Sequence, residues 1–143
     1  MKIVLDSNVA VALVIELPYS EASLQKMQSW QTEDVQMVVP SLWAYEVASV
    51  LRKMEVVGPL SSEESRRALE TLFALGFEIR PPNESLICSA YDWAGRLEQT
   101  VVYDAAFLAL AEQEGAPFWT ADRRFVRAAH RIGLDWVHHI EET

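Results

Sequence analysis

Cysteine is almost absent from this chain, since Cys88 is the only one among 143 residues. A single thiol excludes an internal disulfide and a zinc site built from several cysteines. Cys88 lies within ESLICSAYDWAGRL, a predicted helical segment in which a free cysteine usually behaves as a small apolar residue. This cysteine usage fits a reducing compartment.

Long apolar runs and a basic leader are also missing. Met1 leads directly into KIVLD, and the apolar stretch SNVAVALVIELP is too short to cross a bilayer. We therefore expect a soluble, cytoplasmic protein that does not associate with a membrane. Hydrophobic residues make up 50% of the chain and charged residues 23%, a balance that predicts one globular domain over residues 1–143.

Positive charge is scarce as well. The chain has 12 lysines and arginines against 21 acidic residues, which gives a net charge of −9. Such an acidic protein is a poor candidate for binding duplex nucleic acid through a broad basic surface. A cationic partner remains possible, as does a polyanion held by a metal ion and a few arginines.

Apolar runs typical of strands alternate with segments typical of helices. The predicted strands are residues 2–5, 35–39, 77–80, 118–120 and 134–138. Helical spacing, caps and glycine stops predict helices at 20–31, 41–56, 62–75, 83–99, 103–114 and 122–132. This alternation predicts an α/β domain whose central sheet is mainly parallel, has about five strands and carries helices on both faces.

Two aspartates follow predicted strands directly. Asp6 comes after KIVL and Asp122 after FWTA, and ligands of parallel sheets bind outside the carboxyl ends of strands. Each is also compatible with an ordinary helix N-cap. Glu46, within SLWAYEVASVL, and Asp104, at the start of an apolar helix, are two further acids. Outside a site, Glu46 would be an exposed helical glutamate, and Asp104 would be an acid favoured at a helix start by the helix dipole.

Convergence of these four acids would oppose folding unless protons or a cation neutralised them. Two carboxylates about 5 Å apart repel by roughly 3 kcal/mol at an effective dielectric constant of 20. An all-oxygen cluster suits a hard cation such as Mg²⁺ or Mn²⁺. Such an ion activates a water molecule and orients a phosphodiester, so the acids predict metal-dependent phosphodiester hydrolysis.

Three pieces of the chain together resemble the PIN-domain ribonucleases, and among them the VapC-like toxins of toxin–antitoxin pairs. The pieces are IVLDSNV, VPSLWAYEVASVL and YDAAFLALAEQEGAPFWTADRRF. The resemblance implies a PIN-like fold, RNA as the substrate, Mg²⁺ or Mn²⁺, homodimerisation and a cognate VapB-like antitoxin. It assigns the catalytic, metal-binding positions to Asp6, Glu46, Asp104 and Asp122, and supporting polar positions to Ser7, Asn8 and Thr120.

Three further side chains are candidates for RNA contact. Arg123 and Arg124 follow Asp122, and arginine binds phosphate well because its guanidinium donates two parallel hydrogen bonds. Trp43 lies close to Glu46 and would stack on a base. The alternatives are a solvated helix face for the arginines and a core position for the tryptophan.

Two other functions fit parts of the sequence. An aspartate-based phosphatase would use Asp6 as the nucleophile, but such sites have a second aspartate where this chain has Asn8. A non-catalytic PIN-fold module would bind RNA or protein without cleavage, but would gain nothing from a repulsive acidic cluster.

Overall fold

The computed structural model describes all 143 residues, in which strands and helices alternate. The strands are β1 (Lys2–Leu5), β2 (Gln36–Pro40), β3 (Glu78–Arg80), β4 (Phe118–Thr120) and β5 (Val137–His139). The helices are α1 (Ser7–Val11), α2 (Ser20–Thr32), α3 (Ser41–Val57), α4 (Ser62–Ala74), α5 (Glu84–Arg96), α6 (Tyr103–Glu114) and α7 (Arg123–Arg131).

The five strands form one sheet in the order β3-β2-β1-β4-β5, and every neighbouring pair is parallel. Val4 of β1 pairs with Val38 of β2 on one side and with Phe118 of β4 on the other. The chain thus extends the sheet in one direction through β2 and β3, and in the other through β4 and β5. In open parallel sheets the ligand crevice lies outside the carboxyl ends of the strands at such a reversal, which here falls between β1 and β4.

Both faces of the sheet are covered by helices. Ile3, Val4 and Leu5 of β1 are all buried, although consecutive residues of a strand point to opposite faces. Near-continuous apolar strands of this kind are typical of parallel sheets packed on both sides. The predicted α/β architecture is therefore confirmed.

Helix α3 packs on the core through residues four apart, namely Trp43, Val47 and Leu51, which are all buried. The indole of Trp43 lies 4.8 Å from the ring of Phe77 and 5.8 Å from that of Phe73, between ring centroids. Its exposed fraction is 0%. The prediction that Trp43 contacts RNA is therefore wrong, because this side chain has no surface on which a base can stack.

Most predicted boundaries agree with the structure to within one residue, and two differ from it by about three residues. The final strand begins at Val137 rather than at residue 134, because only Val137–His139 pair with β4. Helix α5 ends at Arg96 rather than near Gln99, because Glu98 has a φ of 56° and turns the chain out of the helix. No helix is long and apolar enough to cross a membrane.

Candidate metal and catalytic site

A hydrogen bond between Asp6 and Thr120 joins the carboxyl ends of the neighbouring strands β1 and β4. The Oγ1 of Thr120 donates a hydrogen bond of 2.7 Å to Oδ2 of Asp6, and Thr120 is fully buried. Asp6 occupies the N-cap position of α1, yet its side chain makes no capping hydrogen bond. The simple cap interpretation therefore fails for Asp6, whose carboxylate faces other site residues.

Asn8 and the Thr120 hydroxyl fix the backbone that leads to Asp122. Oδ1 of Asn8 accepts from the N–H of Ala121 at 3.2 Å, and its Nδ2 donates to Oγ1 of Thr120 at 3.3 Å. The same Oγ1 accepts from the N–H of Asp122 at 3.1 Å. One buried hydroxyl thus connects β1, α1 and the start of α7.

Ser7 brings α3 to the end of β1. Its Oγ lies 3.1 Å from Oε1 of Glu46 and 3.3 Å from Oδ1 of Asp6, so a single hydroxyl proton is shared between two carboxylates. Glu46 is half-buried at this point, although its neighbours Trp43 and Val47 belong to the core.

Asp104 and Asp122 complete a set of four acids that we call the acidic cluster, together with Asp6 and Glu46. Asp104 lies in the first turn of α6 and receives a hydrogen bond of 3.4 Å from Nε2 of Gln99. Asp122 does cap α7, since its Oδ1 accepts from the N–H of Phe125 at 3.1 Å. Capping and a role in the site are compatible here, because one carboxylate oxygen caps and the other stays available.

Charge interactions link the acidic cluster: Asp6 with Glu46 and Asp104, Glu46 with Asp104, and Asp104 with Asp122. Loss of hydration on burial raises the pKa of Asp6 from 3.8 to about 7, against the lowering effect of the Thr120 hydrogen bond and with the charges of Glu46 and Asp104 adding to it. Burial, and then the charge of Asp104, raise the pKa of Glu46. Asp104 is exposed as a residue, but partial loss of hydration at its carboxyl group, and then the charge of Asp122, raise the pKa of that group.

No basic side chain neutralises the acidic cluster, because none of the seven ion pairs in the chain includes a member of it. Four carboxylates flanked by hydroxyl and amide oxygens are the donor set that a hard divalent cation prefers. No three potential ligands are gathered tightly enough to hold a metal ion as they stand. The chemistry of these donors fits Mg²⁺ or Mn²⁺.

Two residues near the acidic cluster were not found by sequence reasoning. Burial, and then the nearby charge of Asp6, raise the pKa of the Tyr19 hydroxyl group. Nδ1 of the buried His139 accepts from the N–H of Glu141 at 3.2 Å, so its Nε2 carries the proton and donates to the carbonyl of Ala121 at 3.2 Å. His139 thereby braces the backbone between Thr120 and Asp122, and no spacing in the sequence signals this contact.

The two arginines predicted to contact RNA both lie at the exposed start of α7. Nη2 of Arg123 forms an ion pair of 2.7 Å with Oε1 of Glu141, although the side chain is 60% exposed. Arg124 is exposed and forms no ion pair. Arg124 is therefore the freer of the two to meet a phosphate group.

Comparison with known proteins agrees with this architecture. The PIN domain family model matches residues 3–131. The chain is 29% identical over 124 residues to Ribonuclease VapC3 of Pyrobaculum aerophilum, an alignment that covers 87% of this chain and 92% of that protein.

Two solved structures have a similar fold at low sequence identity. VapBC2 from Rickettsia felis, bound to a DNA fragment from its promoter, matches with a TM-score of 0.70 at 15% identity over 97% of this chain and 98% of that one. VapC20 of Mycobacterium tuberculosis, a toxin that cleaves the sarcin–ricin loop, matches with a TM-score of 0.67 at 15% identity over 88% of this chain and 94% of that one. Since the family model spans nearly the whole sequence, the chain belongs to the PIN domain family.

Proposed function

We propose that the chain is a metal-dependent endoribonuclease that acts as the toxin of a toxin–antitoxin pair. The observation that carries this proposal is the acidic cluster itself: burial, and then neighbouring negative charge, raise the pKa of Asp6, Glu46 and Asp104, while no lysine or arginine pairs with any of the four acids. Uncompensated, partly buried charge is unfavourable unless protons or a cation neutralise it. The names of the similar ribonuclease and toxin support RNA as the substrate.

Mg²⁺ or Mn²⁺ would be held by Asp6, Glu46, Asp104 and Asp122. When bound, the cation supplies Lewis acidity to the phosphodiester and lowers the pKa of the attacking water. Thr120 and Ser7 orient the carboxylates of Asp6 and Glu46 through hydrogen bonds of 2.7 Å and 3.1 Å. Such hydrogen-bonded supports typically affect metal affinity and activity by 10- to 100-fold.

Cleavage of RNA by the purified chain tests this function. A panel of transfer, ribosomal and unstructured RNAs is incubated with Mg²⁺, with Mn²⁺ and with EDTA, and the products are sequenced. We expect internal cleavage of at least one RNA that depends on metal and ceases in EDTA. RNA binding without cleavage under every metal condition would instead identify a non-catalytic binding module.

The proposed antitoxin would inhibit by supplying the missing positive charge. An arginine-bearing segment of a VapB-like partner fits a crevice whose carboxylates have no internal cation, and several fold neighbours are toxin–antitoxin complexes. Co-expression with the protein encoded by an adjacent small gene should abolish cleavage. Replacing the inserted arginine with alanine should restore cleavage, and inhibition that survives this change would exclude the mechanism.

The proposed homodimer has a suitable surface beside the active site. Helix α5 exposes Ile87 (51%) and Tyr91 (73%), and the neighbouring start of α6 exposes Tyr103 (55%). Ile87 and Tyr103 also line an apolar groove of about 230 Å³. Exposed apolar groups that cluster in this way are typical of protein–protein contacts. A double Ile87→Glu, Tyr91→Glu variant should sediment as a monomer while the parent sediments as a dimer.

A further inference from the structure

The chain between α5 and α6 approaches the acidic cluster through Gln99. Nε2 of Gln99 lies 3.4 Å from Oδ2 of Asp104, a long hydrogen bond, and it is the only side-chain hydrogen bond that Asp104 receives. Asp122, by contrast, is anchored as a helix cap. The orientation of Asp104 therefore depends on Gln99 more than on any other side chain.

The other end of the Gln99 amide is unusual. Its Oε1 is buried and has no hydrogen-bond partner, which is rare because an unpaired buried polar atom loses its hydration without compensation. A glutamine that served only to fill space would be replaced by an apolar residue at lower energetic cost. The amide is thus held in this position, with a free acceptor beside a site whose chemistry suits hydrated cations.

The backbone that carries Gln99 is held in a conformation that most side chains avoid. Glu98 has a φ of 56°, in the left-handed region that glycine normally occupies at a helix end. The N–H of Gln99 donates to the carbonyl of Ala94 at 2.8 Å, and that of Glu98 donates to the carbonyl of Gly95 at 3.2 Å. These two bonds close α5 and direct the next side chain towards Asp104.

We infer that Gln99 is a positioning residue for Asp104, and that the left-handed turn at Glu98 sets its direction towards the acidic cluster. This inference rests on the proposed function, because it assigns Gln99 to the metal affinity of that site. Gln99 acts by donating from Nε2 to the carboxylate and so limiting its rotation. Its free Oε1 is available as an acceptor for a water molecule that enters with the cation.

Substitutions at two adjacent positions separate positioning from general stability. Gln99→Met keeps the length of the side chain and removes the donor, while Gln113→Met makes the same change at an exposed glutamine near the far end of α6. Glu98→Gly and Glu98→Val both remove the carboxylate. Only glycine tolerates a positive φ readily, and a β-branched residue there is strained.

The readouts are the Mn²⁺ dissociation constant, from the electron paramagnetic resonance signal of free Mn²⁺, and the unfolding temperature in EDTA. We expect Gln99→Met and Glu98→Val to weaken Mn²⁺ binding about 10-fold. Glu98→Gly and Gln113→Met should stay within about 2-fold of the parent. The unfolding temperature of Gln99→Met in EDTA should equal or exceed that of the parent, because methionine loses only a long hydrogen bond and removes the unpaired buried Oε1.

Two results would overturn the inference while leaving the proposed function intact. One is parent-like Mn²⁺ binding by Gln99→Met, and the other is an equal loss of affinity in Glu98→Gly and Glu98→Val. If Gln99→Met fails to fold, the comparison of the two Glu98 variants decides, because Gln99 is retained in both. A parent chain that binds no Mn²⁺ at all would overturn the proposed function together with the inference.

Discussion

Thr120 donates a hydrogen bond of 2.7 Å to Asp6 across a separation of 114 residues. The bond connects the ends of the neighbouring strands β1 and β4, where the strand order of the sheet changes direction. A buried hydroxyl and a half-buried acid therefore hold the ends of β1 and β4 together before any ligand binds. The consequences for stability, cleavage and RNA binding are distinct, and each is measurable.

The metal-free chain should lose stability as the pH rises from about 4 to about 7. The pKa of Asp6 is raised from 3.8 to about 7 in the folded chain. In this window the folded chain keeps a proton that the unfolded chain has lost, so unfolding becomes easier as the pH increases. The decrease in the free energy of unfolding is at most about 4 kcal/mol, from roughly 1.4 kcal/mol per pKa unit.

Urea unfolding between pH 4 and pH 8, in EDTA and in about 5 mM Mg²⁺, measures this effect. Asp6→Asn should remove most of the pH dependence. Added Mg²⁺ should restore stability near pH 8, because a ligand that binds only the folded chain stabilises it. A free energy of unfolding that does not change over this pH range would contradict the raised pKa of Asp6 in the folded chain.

Asp6→Asn should abolish RNA cleavage and make the metal-free chain more stable. The amide keeps the shape and still accepts from Thr120, but it removes one negative charge from the acidic cluster. At pH 8 in EDTA we expect a gain of roughly 1–3 kcal/mol in the free energy of unfolding. Asp92→Asn, at an exposed aspartate of α5, is the matched control and should change neither quantity. Cleavage by Asp6→Asn at the parent rate would remove Asp6 from the site.

Thr120→Val should impair both folding and cleavage. Valine has the shape of threonine but neither donates to Asp6 nor accepts from the N–H of Asp122. An unpaired buried N–H costs about 1–3 kcal/mol. Thr120→Ser keeps the hydroxyl and should retain most of the activity, while Thr71→Val at an exposed helical position should have little effect. Thermal unfolding and cleavage rates of the three variants measure the contribution of the hydroxyl, and equal behaviour of Thr120→Val and Thr120→Ser would show that it has none.

Arg124→Ala should weaken RNA binding without changing the fold. Arg124 is exposed, forms no ion pair and lies two residues beyond Asp122. Loss of one phosphate contact should raise the KM severalfold and lower the salt dependence of binding by about 0.7 in log–log slope. Arg131→Ala, at the other end of α7, removes the same charge and serves as the control. Identical effects of the two substitutions would indicate a general charge effect.

The sequence predicts much of the site because strand ends are local features. Asp6 and Asp122 follow apolar runs directly, so their common position needs only a parallel sheet. Trp43 was misassigned, although its spacing of four residues from Val47, and of eight from Leu51, already indicates a buried stripe. Trp43 is only three residues from Glu46, but the two side chains leave α3 in different directions, one into the core and one to the site.

Gln99 and His139 show what local patterns cannot reveal. Each acts through a contact whose partner lies on another element, and the direction of Gln99 depends on an uncommon backbone conformation at Glu98. Glutamate carries no sequence signal for a positive φ, in contrast to glycine at the same position in many helices. Such residues become apparent only when the three-dimensional arrangement is known.

We propose that four acids distant in sequence together bind a divalent cation. Anomalous X-ray diffraction from crystals of the parent chain and of Asp6→Asn, both soaked in Mn²⁺, tests it most directly. We expect at least one anomalous peak in the parent, within bonding distance of Asp6 and of at least two more of Glu46, Asp104 and Asp122, and a weakened or absent peak in the variant. A parent crystal with saturating Mn²⁺ and no peak in the crevice between β1 and β4 would contradict it.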